Sequence, residues 1–80
     1  MPTILRIGPY RFYFYSHEPG EPLHVHIDKG DATAKVWHEQ VAVARHIRFR
    51  SHELNVILGH VRANRELLLE AWDGYFSDRG

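Results

Sequence analysis

Residues 23–29 read LHVHIDK, and this alternation constrains the fold more than any other stretch of the chain. Leu23, Val25 and Ile27 fall on one side of an extended strand, and His24, His26 and Asp28 on the other. Only a strand with one buried face puts aliphatics and polar groups at a period of two. The following DATAKVW keeps the rhythm, with Ala32, Ala34 and Val36 as its apolar set. A two-residue turn at Lys29-Gly30 predicts a hairpin in which Ala32 faces Ile27, Thr33 faces His26, Ala34 faces Val25 and Lys35 faces His24. A slip of one residue would invert the two faces, so the pattern restricts the pairing.

Two more strands precede this hairpin. TILRI at Thr3–Ile7 is β-branched and stopped by Gly8-Pro9, and residues 10–16, YRFYFYS, form an aromatic strand. HEPGEP at 17–22 is a polar connection, and VAVA at 41–44 predicts a short edge strand. Beyond residue 50 the period changes. Leu54, Ile57, Leu58, Val61, Leu68 and Trp72 recur at helical spacing, which predicts one helix over 51–73. Ser51 is the expected N-cap, with Glu53 in the first turn. Gly74 is the expected left-handed stop, with Tyr75 folding back on Leu69. Such a rod runs roughly 35 Å, enough to cross a small sheet. Gly59 in its middle suggests a close backbone approach. Asn64 interrupts the apolar stripe, and a structural role for it is favoured. The expected fold is α+β: a single domain over 1–80, with four to five antiparallel strands at about 3–44 packed on one face by a single long C-terminal helix.

Composition limits what such a domain does. Ten basic residues balance ten acidic ones, so bulk charge predicts no nucleic-acid binding, although a local patch can still provide it. With no cysteine, thiolate metal sites and disulfides are excluded, and a cytoplasmic setting is expected. No apolar run reaches membrane-spanning length, and MPTILRIG lacks the zones of a signal peptide.

With the helix on the apolar side, the other face displays Arg11, Tyr13, Tyr15, His24, His26, Thr33, Lys35 and Trp37. RHIRFR at 45–50 adds the one dense basic segment, with Arg45, Arg48 and Arg50. A first reading is metal-independent RNA cleavage. His24 and His26 serve as base and acid, Arg11 and Lys35 hold the phosphate, Tyr13, Tyr15 and Trp37 stack on bases, and the three arginines extend the phosphate track. A second reading is zinc or nickel binding by His24 and His26, with His17, Glu18, Glu21 or Asp28 as third ligand. A third is a non-catalytic contact surface, using the aromatic face and the surplus leucines Leu67 and Leu69. Against these stands the plain alternative of solvated strand histidines, a structural Arg11 among aromatics and a solvated basic segment. His17, His38, His46, His52 and His60 read as surface residues.

MPTILRIG, RFYFYS, EPLHVHI, KGDATAKVW and SHELNVI…VRANRELLLEAWDGYF together resemble a bacterial family designated domain of unknown function 4160. The shared features are the opening segment, a Pro-His-Val-His-like stretch, Lys-x-Trp, and Asn-x-x-x-Leu-Leu-x-x-Trp. Leu23 departs from them, because the family more often has a second proline there. The positions carried over are Arg11, His24, His26, Lys35, Trp37, Asn64 and Trp72. Family members are often encoded beside a domain of unknown function 2442 protein, in an arrangement resembling a toxin–antitoxin pair. The resemblance thus implies a small cognate protein as partner and favours the RNA reading; a second copy of the chain is a further expected partner from the surplus leucines, and no membrane is expected from the lack of a long apolar run.

Overall fold

The computed structural model describes residues 3–14 and 22–76. Five strands come first: β1 (Thr3–Ile7), β2 (Tyr10–Tyr13), β3 (His24–Lys29), β4 (Ala32–Trp37) and β5 (Ala42–Ile47). Two helices follow, α1 (Ser51–Ala63) and α2 (Arg65–Phe76). The strands form one antiparallel meander in chain order, β1-β2-β3-β4-β5.

The period-two residues do what their pattern predicts. Phe12, Phe14, Val25, Ile27 and Val36 are fully buried, with Ala32 and Ala34 nearly so. The hairpin register differs from expectation by two residues. Its central pair is Gly30-Asp31, so Lys29 faces Ala32, Ile27 faces Ala34, His26 faces Lys35 and His24 faces Trp37. The physical reason lies in the turn: a two-residue turn with a left-handed first position needs glycine there, and Gly30 has φ +60°. An even shift leaves every side chain on its expected face. Gly8-Pro9 repeats the device between Ile7 and Tyr10, with Gly8 at φ +55°.

The helical segment departs more from expectation: it is two helices rather than a single long one. At Asn64 the backbone leaves the helical region (φ −118°, ψ 24°), and its Nδ2 donates to the His60 carbonyl at 2.8 Å. Side-chain amides compete in this way with the backbone ladder. Beyond the break, the Arg65 carbonyl accepts a hydrogen bond from His38 Nε2 at 2.8 Å. His38 is therefore a buried anchor, 7% exposed, and not the surface residue the sequence suggested. The break redirects α2. Ile57 and Val61 of α1 pack on the apolar sheet face, whereas Leu68 and Trp72 of α2 cover the end of the sheet.

The helix ends also correct two expectations. Arg50, and not Ser51, occupies the N-cap position, in extended conformation, and its backbone N–H donates to Glu53 Oε1 at 3.0 Å. Glu53 also pairs with Lys29, tying the β3–β4 hairpin to the start of α1. Gly74 does not end the chain's last helix, because it lacks a left-handed φ and α2 runs on to Phe76. The expected contact of Tyr75 with Leu69 lies outside the described side chains. Gly59 marks no close approach: a Cβ there would meet nothing within 4 Å. No described helix is long and apolar enough to cross a membrane.

Candidate functional site

The pleat and the register align one row of side chains across four strands: Tyr13, His26, Lys35 and Arg45. All stand on the face opposite α1. The Tyr13 and His26 rings stack at 5.5 Å with 20° between their planes. Lys35 Nζ lies 4.9 Å over the Trp37 ring, and the Arg11 guanidinium 4.5 Å over Tyr13.

Arg45 reaches this row because β5 is irregular. Lys35 pairs with Arg45, but the next pair is Val36 with Val43, so Ala44 is one residue too many. Regular pairing would set Ala44 opposite Lys35 and turn Arg45 toward the helix side. Bulges re-aim side chains in this manner. The result is two cationic side chains directly opposite each other on neighbouring strands. Beside them opens a cavity of about 320 Å³, lined by Tyr13, His26, Thr33, Lys35, Arg45 and Ile47, with His46 at its border.

The two histidines of the HVH segment have opposite surroundings. His24 is 2% exposed, so the expectation of an exposed histidine pair fails for this ring. Its Nδ1–H donates to the Pro22 carbonyl at 3.1 Å. Its ring meets Trp37 at 5.8 Å and Trp72 of α2 at 5.9 Å. His24 thus lies at the covered end of the sheet, which a straight helix would have left open. His26 is partly buried and borders the cavity. Burial, then the neighbouring His24 and Lys35, push its imidazole down to about 4. At neutral pH about one such ring in a thousand carries the extra proton. His26 is therefore a neutral ring able to accept a hydrogen bond, but a weak proton acceptor and unsuited to act as general acid.

Arg11 is held within the sheet's own network. Its Nε donates to Thr3 Oγ1 at 2.7 Å, and its guanidinium lies 3.8 Å from the Asp28 carboxylate. The Tyr13 hydroxyl donates to the same carboxylate at 3.1 Å. Burial and the Asp28 charge raise the Tyr13 phenol above its ordinary range, so it stays protonated.

The basic segment divides. Only Arg45 lines the cavity. Arg48 has φ +66° and lies 3.7 Å from Asp31 at the hairpin tip, and Arg50 caps α1. Phe49 between them is buried, with its ring 6.4 Å from that of Tyr10. The expected phosphate track of three arginines therefore reduces to Arg45, because the chain leaves the sheet at Ile47. Tyr15 and the candidate third ligands His17, Glu18 and Glu21 lie outside the described residues. Among the described residues, no group of three or more His, Cys, Asp or Glu stands together as a metal site.

Sequence reasoning missed Ile47, the most exposed large hydrophobic at 54%. Its place between two basic positions of RHIRFR was the available signal. The site is thus a mixed cationic and aromatic cleft on the uncovered face of a five-stranded α+β domain. A family model described as Domain of unknown function (DUF4160) matches residues 10–73, and the chain belongs to that family. No curated protein and no solved structure matches it.

Proposed function

We propose that the chain is an RNA-directed component of a two-protein system of the toxin–antitoxin kind, engaging single-stranded RNA through the face centred on His26. The observation that carries this reading is the Lys35–Arg45 opposition across the β5 bulge. A backbone phosphate beside these two cations gains charge-assisted hydrogen bonds. Tyr13 and Trp37 supply the aromatic surface on which unpaired bases stack.

Metal-independent cleavage by a histidine pair is the less supported form of the proposal. It requires a base and an acid. His26 is neutral but a weak base, and His24 is sealed beneath Trp72 and is not presented to a ligand. Binding without cleavage is therefore favoured. Zinc or nickel binding by His24 and His26 would need a third ligand from the residues that are not described. A second, protein-binding reading rests on Leu67 and Leu69 of α2, exposed at 44% and 42% on either side of the buried Leu68, as apolar contacts for a small cognate protein.

The test is fluorescence anisotropy of a labelled single-stranded oligoribonucleotide at several salt concentrations. With about two phosphates neutralised, log affinity should fall against log salt with a slope near −1.4. Arg45→Ala should weaken binding roughly tenfold, in line with about 1.4 kcal/mol for one lost charged contact. Binding unchanged by Arg45→Ala, or no binding at all, would remove RNA as the ligand.

A further inference from the structure

We infer that the cavity beside Lys35 and Arg45 is a subsite for one whole nucleotide, with its phosphate between those two cations and its base held between Ile47 and the Tyr13–His26 stack. The inference keeps the face assigned above but does not require an RNA chain. Its ligand is a nucleoside monophosphate unit, either free or at a strand end.

Size and lining support this occupant. About 320 Å³ lies at the small end of ligand cavities, large enough for more than a bare phosphate. Cations occupy one side, and the rest of the wall is largely apolar. Ile47 pairs in register with Thr33, so its side chain stands on the same face as Lys35 and Arg45, separated from Arg45 by one residue. Ile47 is a branched aliphatic 54% exposed on an edge strand, and it makes a wall for a planar ring. The parallel Tyr13 and His26 rings form the opposing wall. The bulge in β5 thereby delivers both recognition elements, Arg45 for the phosphate and Ile47 for the base.

The Tyr13 hydroxyl is bonded to Asp28 and shares a side-chain hydrogen bond with Thr33, and the neutral His26 ring borders the same cavity.

The experiment follows backbone amide shifts of the full chain during titration with uridine 5′-monophosphate, with inorganic phosphate, and with hexauridylate bearing or lacking a 5′-phosphate. The nucleotide should move Thr33, Arg45 and Ile47, and should bind at least about tenfold more tightly than phosphate, since stacking one base contributes roughly that much or more. Ile47→Ser should abolish this preference while leaving phosphate affinity unchanged, and Arg45→Ala should weaken both. A preference restricted to 5′-phosphorylated hexauridylate would place a strand end in the cavity; equal gains with the mononucleotide would place a free nucleotide there. No preference over phosphate for either the mononucleotide or the 5′-phosphorylated hexauridylate, or a preference that survives Ile47→Ser, overturns the inference. Hexauridylate binding that survives Ile47→Ser without any mononucleotide preference leaves the RNA reading standing and removes this one. Mononucleotide binding sensitive to Ile47→Ser, with no binding of either hexauridylate, does the reverse.

Discussion

His24 and His26 are two positions apart on β3 and point to the same side of the sheet, yet one is sealed and the other borders a cavity. The pleat alone cannot explain this. His24 pairs with Trp37 at the end of the β3–β4 ladder, where α2 folds over and brings Trp72 to within 5.9 Å of its ring. His26 pairs with Lys35 in the row that the β5 bulge completes with Arg45. A strand decides which side a residue faces; a neighbouring element decides whether that side is wet. One end of this face has been converted into core, and the middle has been left loaded with charge.

Removing the cover is the severest challenge to that contrast. Trp72 meets both Phe14, at 5.1 Å, and His24. Trp72→Ala should cost about 3 kcal/mol, the low end for such truncations because Trp72 is only partly buried. Urea denaturation measures the loss, and proton exchange at the His24 ring should accelerate as the ring is uncovered. A loss below about 1 kcal/mol would mean that α2 is not what closes this end.

Separate substitutions at the two histidines should then give opposite results. His24→Ala loses ring packing and the bond to the Pro22 carbonyl, and should lower stability by about 2 kcal/mol with RNA affinity within twofold of the original. His26→Ala should cost about 1 kcal/mol or less but weaken RNA binding several-fold. Should His24→Ala abolish binding in a chain that remains folded, the sealed end belongs to the site after all.

Acid offers a gentler probe of the same difference. The folded-state value for His26, about 4, lies below the ordinary 6.5. Between those two values the unfolded chain binds a proton that the folded chain refuses. Stability from this group is therefore complete above pH 6.5 and is lost progressively as pH falls toward 4. His26→Gln should flatten that part of the stability profile relative to the original chain, and the His26 Cε1 proton should titrate near pH 4 in NMR spectra.

How much of this was readable beforehand follows from the range of each interaction. Alternation is local, so the buried set Phe12, Val25, Ile27 and Ala34 and the face carrying His26 and Lys35 were legible. The two-residue register error arose because Lys29-Gly30 and Gly30-Asp31 preserve the same faces, and only the glycine's left-handed φ separates them. Asn64 was visible as a break in the helical stripe, but the direction of the bend depends on His38 reaching the Arg65 carbonyl, 27 residues away. The burial of His24 involves Trp72 of α2, a contact between residues far apart in sequence. The position of Arg45 depends on one extra residue in a pairing that no local pattern encodes.

The smallest predicted effect has the opposite sign and distinguishes the two regions most sharply. Lys35 and Arg45 repel each other across the strands, and like charges in that position cost a few tenths of a kcal/mol. Arg45→Gln should therefore stabilise the fold by roughly 0.3 kcal/mol at low salt while weakening anion binding. Because Arg45 is exposed, salt screens the repulsion, and the gain should vanish near 1 M salt, where the Debye length falls to about 3 Å. At the sealed end, both truncations lower stability, and His24→Ala spares binding. In the cleft, removing a charge raises stability and impairs binding, as expected where a side chain is placed for a ligand and not for the fold. A destabilising Arg45→Gln, or a gain indifferent to salt, would make Arg45 a structural residue and leave the cleft without its strongest claim to a ligand.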